Sequence, residues 1–165
     1  MIQTLIETSN MNAFSIRQAV LSDLDKLLAL FDAYRQFYGK DSDPAAARSF
    51  LLNRFDHGES VLFIAEKDTV AVGFVQLYPC FSSVSLARTF ILNDLFVDAA
   101  CRRQGVAKRL IDAASEYAKS IGAVRLTLST AVGNCEAQAL YQATDWKRDE
   151  QFYVYHLALP IDQTA

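Results

Sequence analysis

The chain has 165 residues, 52% of them apolar, and its 19 acidic and 16 basic side chains give a formal charge of -3. That length suits one domain of ordinary size whose core needs no staples. The acidic balance disfavours a dedicated nucleic-acid binder, which carries a basic excess. No window approaches the ~18 continuous apolar residues of a membrane span, and residues 1–10 lack the basic start and long apolar run of a signal peptide. Three cysteines, Cys80, Cys101 and Cys135, are odd in number and widely spaced. That spacing argues against a disulfide framework and fits a reducing compartment. The expectation is a cytoplasmic protein without membrane or nucleic-acid partners, with a loose arm over residues 1–11 and a single domain over 12–165.

In chain order, Phe14-Ser15-Ile16-Arg17 alternates apolar with polar and reads as a first strand. Ser22 can cap a helix whose apolar positions Leu24, Leu27, Leu28, Phe31, Tyr34 and Tyr38 recur at helical spacing. Residues 39–44 stop it, and a second helix starts at Pro44, a favoured first-turn position, to end near His57-Gly58. Val61 to Ala65 and Val70 to Tyr78 are apolar runs joined by Glu66-Lys67-Asp68-Thr69, a hairpin signal. A loop from Pro79 to Ala87 is expected to lead into Thr89 to Val97, a buried central strand with Asn93 and Asp94 in its middle. A third helix opens at about Gly105, with Val106, Leu110, Ile111, Ala114, Tyr117, Ala118 and Ile121 on one face. Gly122 stands where a left-handed residue closes a helix. Val124, Leu126 and Leu128 alternate with polar residues as a further strand, and a short helix covers Asn134 to about Ala143. The aromatic run Phe152 to Leu159 reads as a terminal strand. The order β-α-α-β-β-β-α-β-α-β describes an α/β chain, a mixed sheet with helices on its faces.

The chemistry concentrates in Leu95-Phe96-Val97-Asp98-Ala99-Ala100-Cys101-Arg102-Arg103-Gln104-Gly105-Val106-Ala107-Lys108. A buried strand runs into a basic, small-residue loop that opens a helix. The first turn of a helix presents backbone N–H groups without internal partners, and its dipole favours an anion by up to ~2 kcal/mol. Gly105 and Ala107 allow a phosphate close to the backbone, and Arg102, Arg103, Lys108 and Arg109 cluster in an otherwise acidic chain. This is a pyrophosphate-binding device. It matches neither G-x-x-x-x-G-K-[ST] nor G-x-G-x-x-G.

Arg102-x-x-Gly105-x-Ala107 resembles the acetyl-coenzyme A signature of the GCN5-related N-acetyltransferase (GNAT) superfamily, Q/R-x-x-G-x-G/A. Asn134, Ala137, Leu140, Tyr141 and Trp146 resemble its second element, N-x-x-A-x-x-L-Y-x-x-x-G-[FW], with Asp145 where glycine is usual. That departure should reshape the turn. The resemblance extends from about Phe14 to Leu159. Residues 91–98, Phe37-Tyr38 and Ser42-Asp43 also look like the subgroup with fungal histone and polyamine acetyltransferases.

The resemblance implies a mostly antiparallel sheet with a central V-shaped splay, acetyl-CoA as cosubstrate and no metal. Backbone groups of Leu95, Phe96 and Val97 would bind the pantetheine arm, and the Leu95 amide would face the thioester carbonyl. Backbone N–H groups among Arg103, Gln104, Gly105, Val106, Ala107 and Lys108, with Arg102 beside them, would hold the pyrophosphate. Asn134, Ala137 and Tyr141 would line the cofactor arm, with Tyr141 near the sulfur.

Transfer needs the amine unprotonated. An alkylamine of pKa ~10.4 lies about three units from that state at neutral pH, or ~4 kcal/mol. Tyr141, a phenol of pKa ~10, is the candidate acid for the departing thiolate. Many members of the superfamily carry Glu where this chain has Asn93, which is no base. Asp94 is the neighbouring carboxylate, and strand alternation turns it to the opposite face unless a bulge intervenes. Tyr38, Asp41, Asp43, Tyr78, Asn93 and Asp94 are the candidates for contact with a cationic amine. His57 and His156 have no metal-ligand spacing, and Cys135 has no paired histidine.

The expected activity is acetyl transfer to a primary amine of a small molecule: a polyamine, a diamine or an amino acid. Acetylation of protein or histone lysines and a non-catalytic CoA-binding sensor remain as alternatives. A homodimer is expected, built on the dense aromatics of Phe152-Tyr153-Val154-Tyr155.

Overall fold

A computed structural model of the chain describes residues 14–159, so the arm expected over 1–11 lies outside the described residues. The chain divides between Ser129 and Thr130 into two compact units. In the first unit the strands β1 (Ser15–Gln18), β2 (Val61–Lys67), β3 (Val70–Ser82), β4 (Ala87–Val97) and β5 (Arg125–Thr127) form one sheet in that spatial order. Its helices are α1 (Leu24–Phe37), α2 (Pro44–Asp56) and α3 (Val106–Ser120). The first four strands pair antiparallel and β5 joins β4 in parallel, so the connection through α3 is the one crossover.

Local chemistry explains most boundaries. Asp68 and Thr69 both take positive φ (49° and 68°), the turn that a two-residue hairpin demands. Asp43 caps α2 by accepting from the Ala46 amide at 2.9 Å, with Pro44 in the first turn. Gly122, at φ 75°, closes α3 as expected.

The two sheet faces are covered by different helices. Leu27, Phe31 and Leu51 from α1 and α2 pack with Leu62, Ile64 and Phe74 on one face. On the other, Tyr117 of α3 meets Phe63 and Phe90 edge-on, beside buried Leu110 and Ala114. Each fully buried Leu or Phe contributes roughly 1.5–3 kcal/mol, so these two layers hold the helices to the sheet.

Two expectations are corrected. The loop expected from Pro79 to Ala87 is strand almost throughout, since β3 runs to Ser82 and β4 starts at Ala87. Pro79 pairs with Phe90 past the end of β2, where β3 has only one neighbour and a missing N–H leaves an open edge unharmed. Second, no strand forms over Phe152–Leu159, and its Phe, Tyr, Val and Leu side chains are exposed. Alternating aromatics supply the propensity, but a strand also needs a ladder partner, and none pairs with it among the described residues. The second unit has one helix, α4 (Cys135–Gln142).

Candidate active site

The site in the first unit begins with a slip in register. Leu77 faces Leu92, whereas Gln76 faces Asp94, so Asn93 is an extra residue on β4 and makes a β-bulge. Without it, Asp94 would share a face with Leu92 and point to α3. With it, Asp94 joins Tyr78, Gln76, Phe74 and Phe96 on the face covered by α1. The bulge therefore selects Asp94 and leaves Asn93 exposed, its Nδ2 donating back to Asp94 Oδ1 at 3.0 Å.

Asp94 is 4% exposed. Burial pushes its carboxyl above the ordinary range, while hydrogen bonds from the Tyr34 hydroxyl and from Asn93 oppose that shift. Across the ladder, Gln76 is wholly buried; its Nε2 donates to the Tyr78 hydroxyl, and its Oε1 accepts no hydrogen bond from the described residues. Burial and the nearby Asp94 charge push the Tyr78 phenol up to about 12, so it stays a neutral hydroxyl. Neither Tyr34 nor Gln76 was a sequence candidate. Tyr34 lay within the apolar periodicity of α1; Gln76 had a signal, as a lone amide inside the apolar run Val70 to Tyr78.

Beside Asp94 the edge of β4 is open. The Asp98 amide bonds the Val72 carbonyl at 2.8 Å, and antiparallel alternation from that pair turns the N–H and C=O of Phe96 and Asp94 toward β3. The same groups of Leu95 and Val97 face the other edge, which β5 covers only as far as Ile91. This is the splay, a length of β4 that pairs with no described strand on that edge.

The strand leads into the phosphate loop. Asp98 caps a 3₁₀ turn over Ala99–Cys101 through the Ala100 amide at 2.9 Å, and Gln104 Nε2 bonds the Ala100 carbonyl at 3.1 Å. Arg103 and Gly105 take positive φ (59° and 80°), which aims the start of α3. Arg109 N–H bonds the Gly105 carbonyl, and no side chain caps the helix. The first-turn amides of Val106, Ala107 and Lys108 thus have no side-chain cap, and a Cβ at Gly105 would meet nothing within 4 Å. The donor set fits a pyrophosphate.

Two cations expected there also have partners within the protein. Arg102 Nε bonds the Val97 carbonyl at 3.0 Å, and its guanidinium lies 5.7 Å from both the Phe37 and Phe96 rings. It fastens the strand end to the end of α1. Lys108 Nζ pairs with Asp112 at 2.6 Å along its own helix.

On the α1 side, Tyr38 is half-exposed against Tyr34 and Phe37, and Asp41 is exposed. Asp43 spends a carboxylate oxygen on its helix cap. Asp32 pins this segment, accepting from Ser42 Oγ at 2.7 Å and the Asp43 amide at 2.9 Å; those bonds lower its carboxyl pKa.

In the second unit, Asn134 Oδ1 caps α4 through the Ala137 amide at 3.2 Å, keeping its Nδ2 as a donor. Tyr141 is half-buried and packs 5.9 Å from Trp146. Asp145 takes φ 63°, the left-handed turn that glycine favours. The aspartate adopts the conformation at a steric cost, one it tolerates better than most side chains.

A family model described as "Acetyltransferase (GNAT) family" matches residues 27–146. The chain belongs to this family. It is a GNAT N-acetyltransferase, and acetyl-CoA is its acyl donor. The chain is 45% identical over 146 residues to YhfO of Bacillus subtilis (strain 168), described as an uncharacterized N-acetyltransferase, covering 88% of this chain and 98% of that one. A crystal structure of a probable acetyltransferase superposes with a TM-score of 0.84 at 42% identity, covering 90% of this chain and 99% of that one. An aminoglycoside N-acetyltransferase, AAC(6')-Iy in complex with CoA, shares the fold alone, with a TM-score of 0.75 at 23% identity over 90% of this chain and 97% of that one. No helix among the described residues is long and apolar enough to cross a membrane.

Proposed function

We propose that this acetyltransferase acts on a primary amine of a small cationic molecule, a polyamine, diamine or amino acid, with Asp94 receiving the amine's proton. The observation that carries the reading is the Asn93 bulge, which sets a buried carboxylate beside the open edge of β4. A carboxyl raised by burial is a better match to a proton donor than an exposed one. Acetyl-CoA supplies a thioester that the free amine attacks, releasing a thiolate. The amide of Leu95 on the open edge stabilises negative charge at the acyl oxygen, with Phe96 and Val97 holding the arm. The amides from Arg103 to Lys108 hold the pyrophosphate, and Asn134 and Ala137 contact the arm. Tyr141 protonates the thiolate. Tyr38, Asp41, Asp43, Tyr78 and Asn93 form the amine's approach, an aromatic and acidic path suited to a cation.

Fold alone does not choose the acceptor. Among structures of this fold are an aminoglycoside acetyltransferase and a ribosomal-protein-alanine acetyltransferase, both under 25% identical. Thiol release with spermidine, small amino acids and a lysine-rich peptide, each with acetyl-CoA, decides it. Turnover of the small amines alone is the expected result. Turnover of the peptide alone replaces the reading with a protein acetyltransferase, and cofactor binding without turnover of any amine replaces it with a sensor. The three free thiols suit a reducing cytoplasm as the working compartment.

A further inference from the structure

We propose that Gln76 is a positioning residue for Asp94, its side-chain carbonyl accepting the hydrogen of the Asp94 carboxylic acid once the proton has arrived. The inference rests on Asp94 as proton acceptor and adds a second residue to that step. Gln76 and Asp94 stand directly opposite on β3 and β4, on one face. Opposite residues of an antiparallel pair have Cβ atoms about 4.5–5.5 Å apart, within reach of one hydrogen bond between their side chains. Both are buried, at 0% and 4% exposure. A wholly buried amide oxygen without a protein partner is costly, and each such group in a folded protein calls for an explanation. Here the amide's other end is already held by the Tyr78 hydroxyl, which turns Oε1 away from Tyr78.

The two side chains that donate to Asp94 favour its charged form. Tyr34 from α1 and Asn93 on β4 both donate to it. Tyr78 on β3 is neutral, and beyond it the Arg54–Glu59 pair at the end of α2 is internally compensated at 2.6 Å. In this arrangement Tyr34 and Asn93 are donors to the carboxyl, and the Tyr78 hydroxyl already accepts from Gln76 Nε2. Gln76 Oε1 is the complementary acceptor. In the step, an N–H bond of the ammonium breaks with its electron pair remaining on nitrogen, an O–H bond forms on Asp94, and that O–H donates to Gln76. Donors stabilise the base before transfer, and the amide stabilises the acid after it.

The test is the titration of Asp94, read by carbon-13 NMR of its carboxyl in the full chain and assigned by its loss in Asp94→Asn. Gln76→Met keeps the volume and removes the acceptor, so the Asp94 pKa should fall by about one unit, the worth of one hydrogen bond. Tyr34→Phe removes a donor to the carboxylate and should move it up by a similar amount. The acidic limb of kcat/KM should follow each shift. An unmoved titration in Gln76→Met overturns the proposal. So does a rise, which would put the amide N–H against the carboxyl. If Gln76→Met fails to fold, the side-chain carbonyl of Gln76 in the unsubstituted chain, labelled with carbon-13, should shift with the Asp94 midpoint and lose that step in Asp94→Asn; a flat Gln76 signal rejects the idea. Asp94 as the base is judged separately, because Asp94→Asn with full rate and an unchanged limb removes that role whatever the NMR shows.

Discussion

Gly105 shows how one backbone angle serves two purposes. Its φ of 80° is where side chains are strained, and its open flank leaves room for the proposed pyrophosphate to approach the first turn of α3. Gly105→Glu should weaken CoA binding at least tenfold by calorimetry, with a far-UV spectrum like that of the parent; equal affinity in the folded variant would remove the site. Tyr141 poses a different question. Tyr141→Phe keeps the ring against Trp146 and deletes the hydroxyl, so kcat should fall by ~10²-fold or more while CoA affinity holds. A parental kcat with chemistry limiting would leave Tyr141 as packing and give the proton to water. Arg102 was legible as a cation beside a phosphate loop. Its stacking between Phe37 and Phe96 was not, because those rings lie on α1 and β4 and meet only in the fold.

At the scale of elements, the pairing of β3 with β4 carries the site. Gly73 lies opposite Val97, and a Cβ there would stand 2.8 Å from the Phe96 carbonyl oxygen. Backbone cannot yield as a side chain does, so Gly73→Ala must push β4 away just below the splay. The expected cost is about 1–3 kcal/mol in a urea melt, together with a fall in kcat/KM larger than that of an equally destabilised α2 variant. Equal activity loss in the two variants would show that β4 is not special. Helices α1, α2, α3 and α4 were legible because their signals are local: apolar spacing, Pro44, Asn134 and Gly122. The bulge was not, because register belongs to two strands at once and one strand's residues name only half of it.

For the whole molecule, acid sensitivity should come from the ion network that ties β1 and β2 to the start of α1. Arg17 holds Asp23 at 2.6 and 2.7 Å and reaches Glu66 at 3.0 Å, and Lys26 bonds Glu66 as well. The hydrogen bonds from Arg17 lower Asp23 to about 2, and Lys26 with Arg17 lowers Glu66. A lowered carboxyl contributes stability that is complete above its ordinary pKa of about 4 and is lost as pH falls through its folded value. Stability should therefore drop between about pH 4 and pH 2. Asp23→Asn should cost about 1–2 kcal/mol at pH 7, reduced from the full shift because Arg17 is partly solvated, and should flatten that acid slope. An unchanged slope in urea melts would assign the acid limb elsewhere. Assembly is the second prediction at this scale. The exposed run Phe152-Tyr153-Val154-Tyr155 is the ground for expecting a homodimer, since an aromatic stretch gains most by being covered. Sedimentation at micromolar concentration should show twice the 18.4 kDa of one chain; a monomer alone removes the dimer.

The residues themselves specified most of what acts over a few positions: the Pro44 and Asn134 helix starts, the Gly122 stop, a hairpin between β2 and β3, and the basic loop that opens α3 with Gly105 at its hinge. Those depend on backbone angles and hydrogen bonds between near neighbours, which composition and spacing encode directly. Ser22 caps no helix, since a 3₁₀ turn over Leu21–Asp23 precedes α1, and the hairpin turn is two residues rather than four. Tertiary structure decided which of Asn93 and Asp94 faces α1, because the extra residue appears only when β4 is laid against β3. It also decided that Gln76 stands opposite Asp94, that Tyr34 donates to that carboxyl, and that Phe152–Leu159 forms no strand despite its strand-forming composition. Each of these depends on a partner tens of residues away, and the free energy of that pairing is a property of both chain segments together.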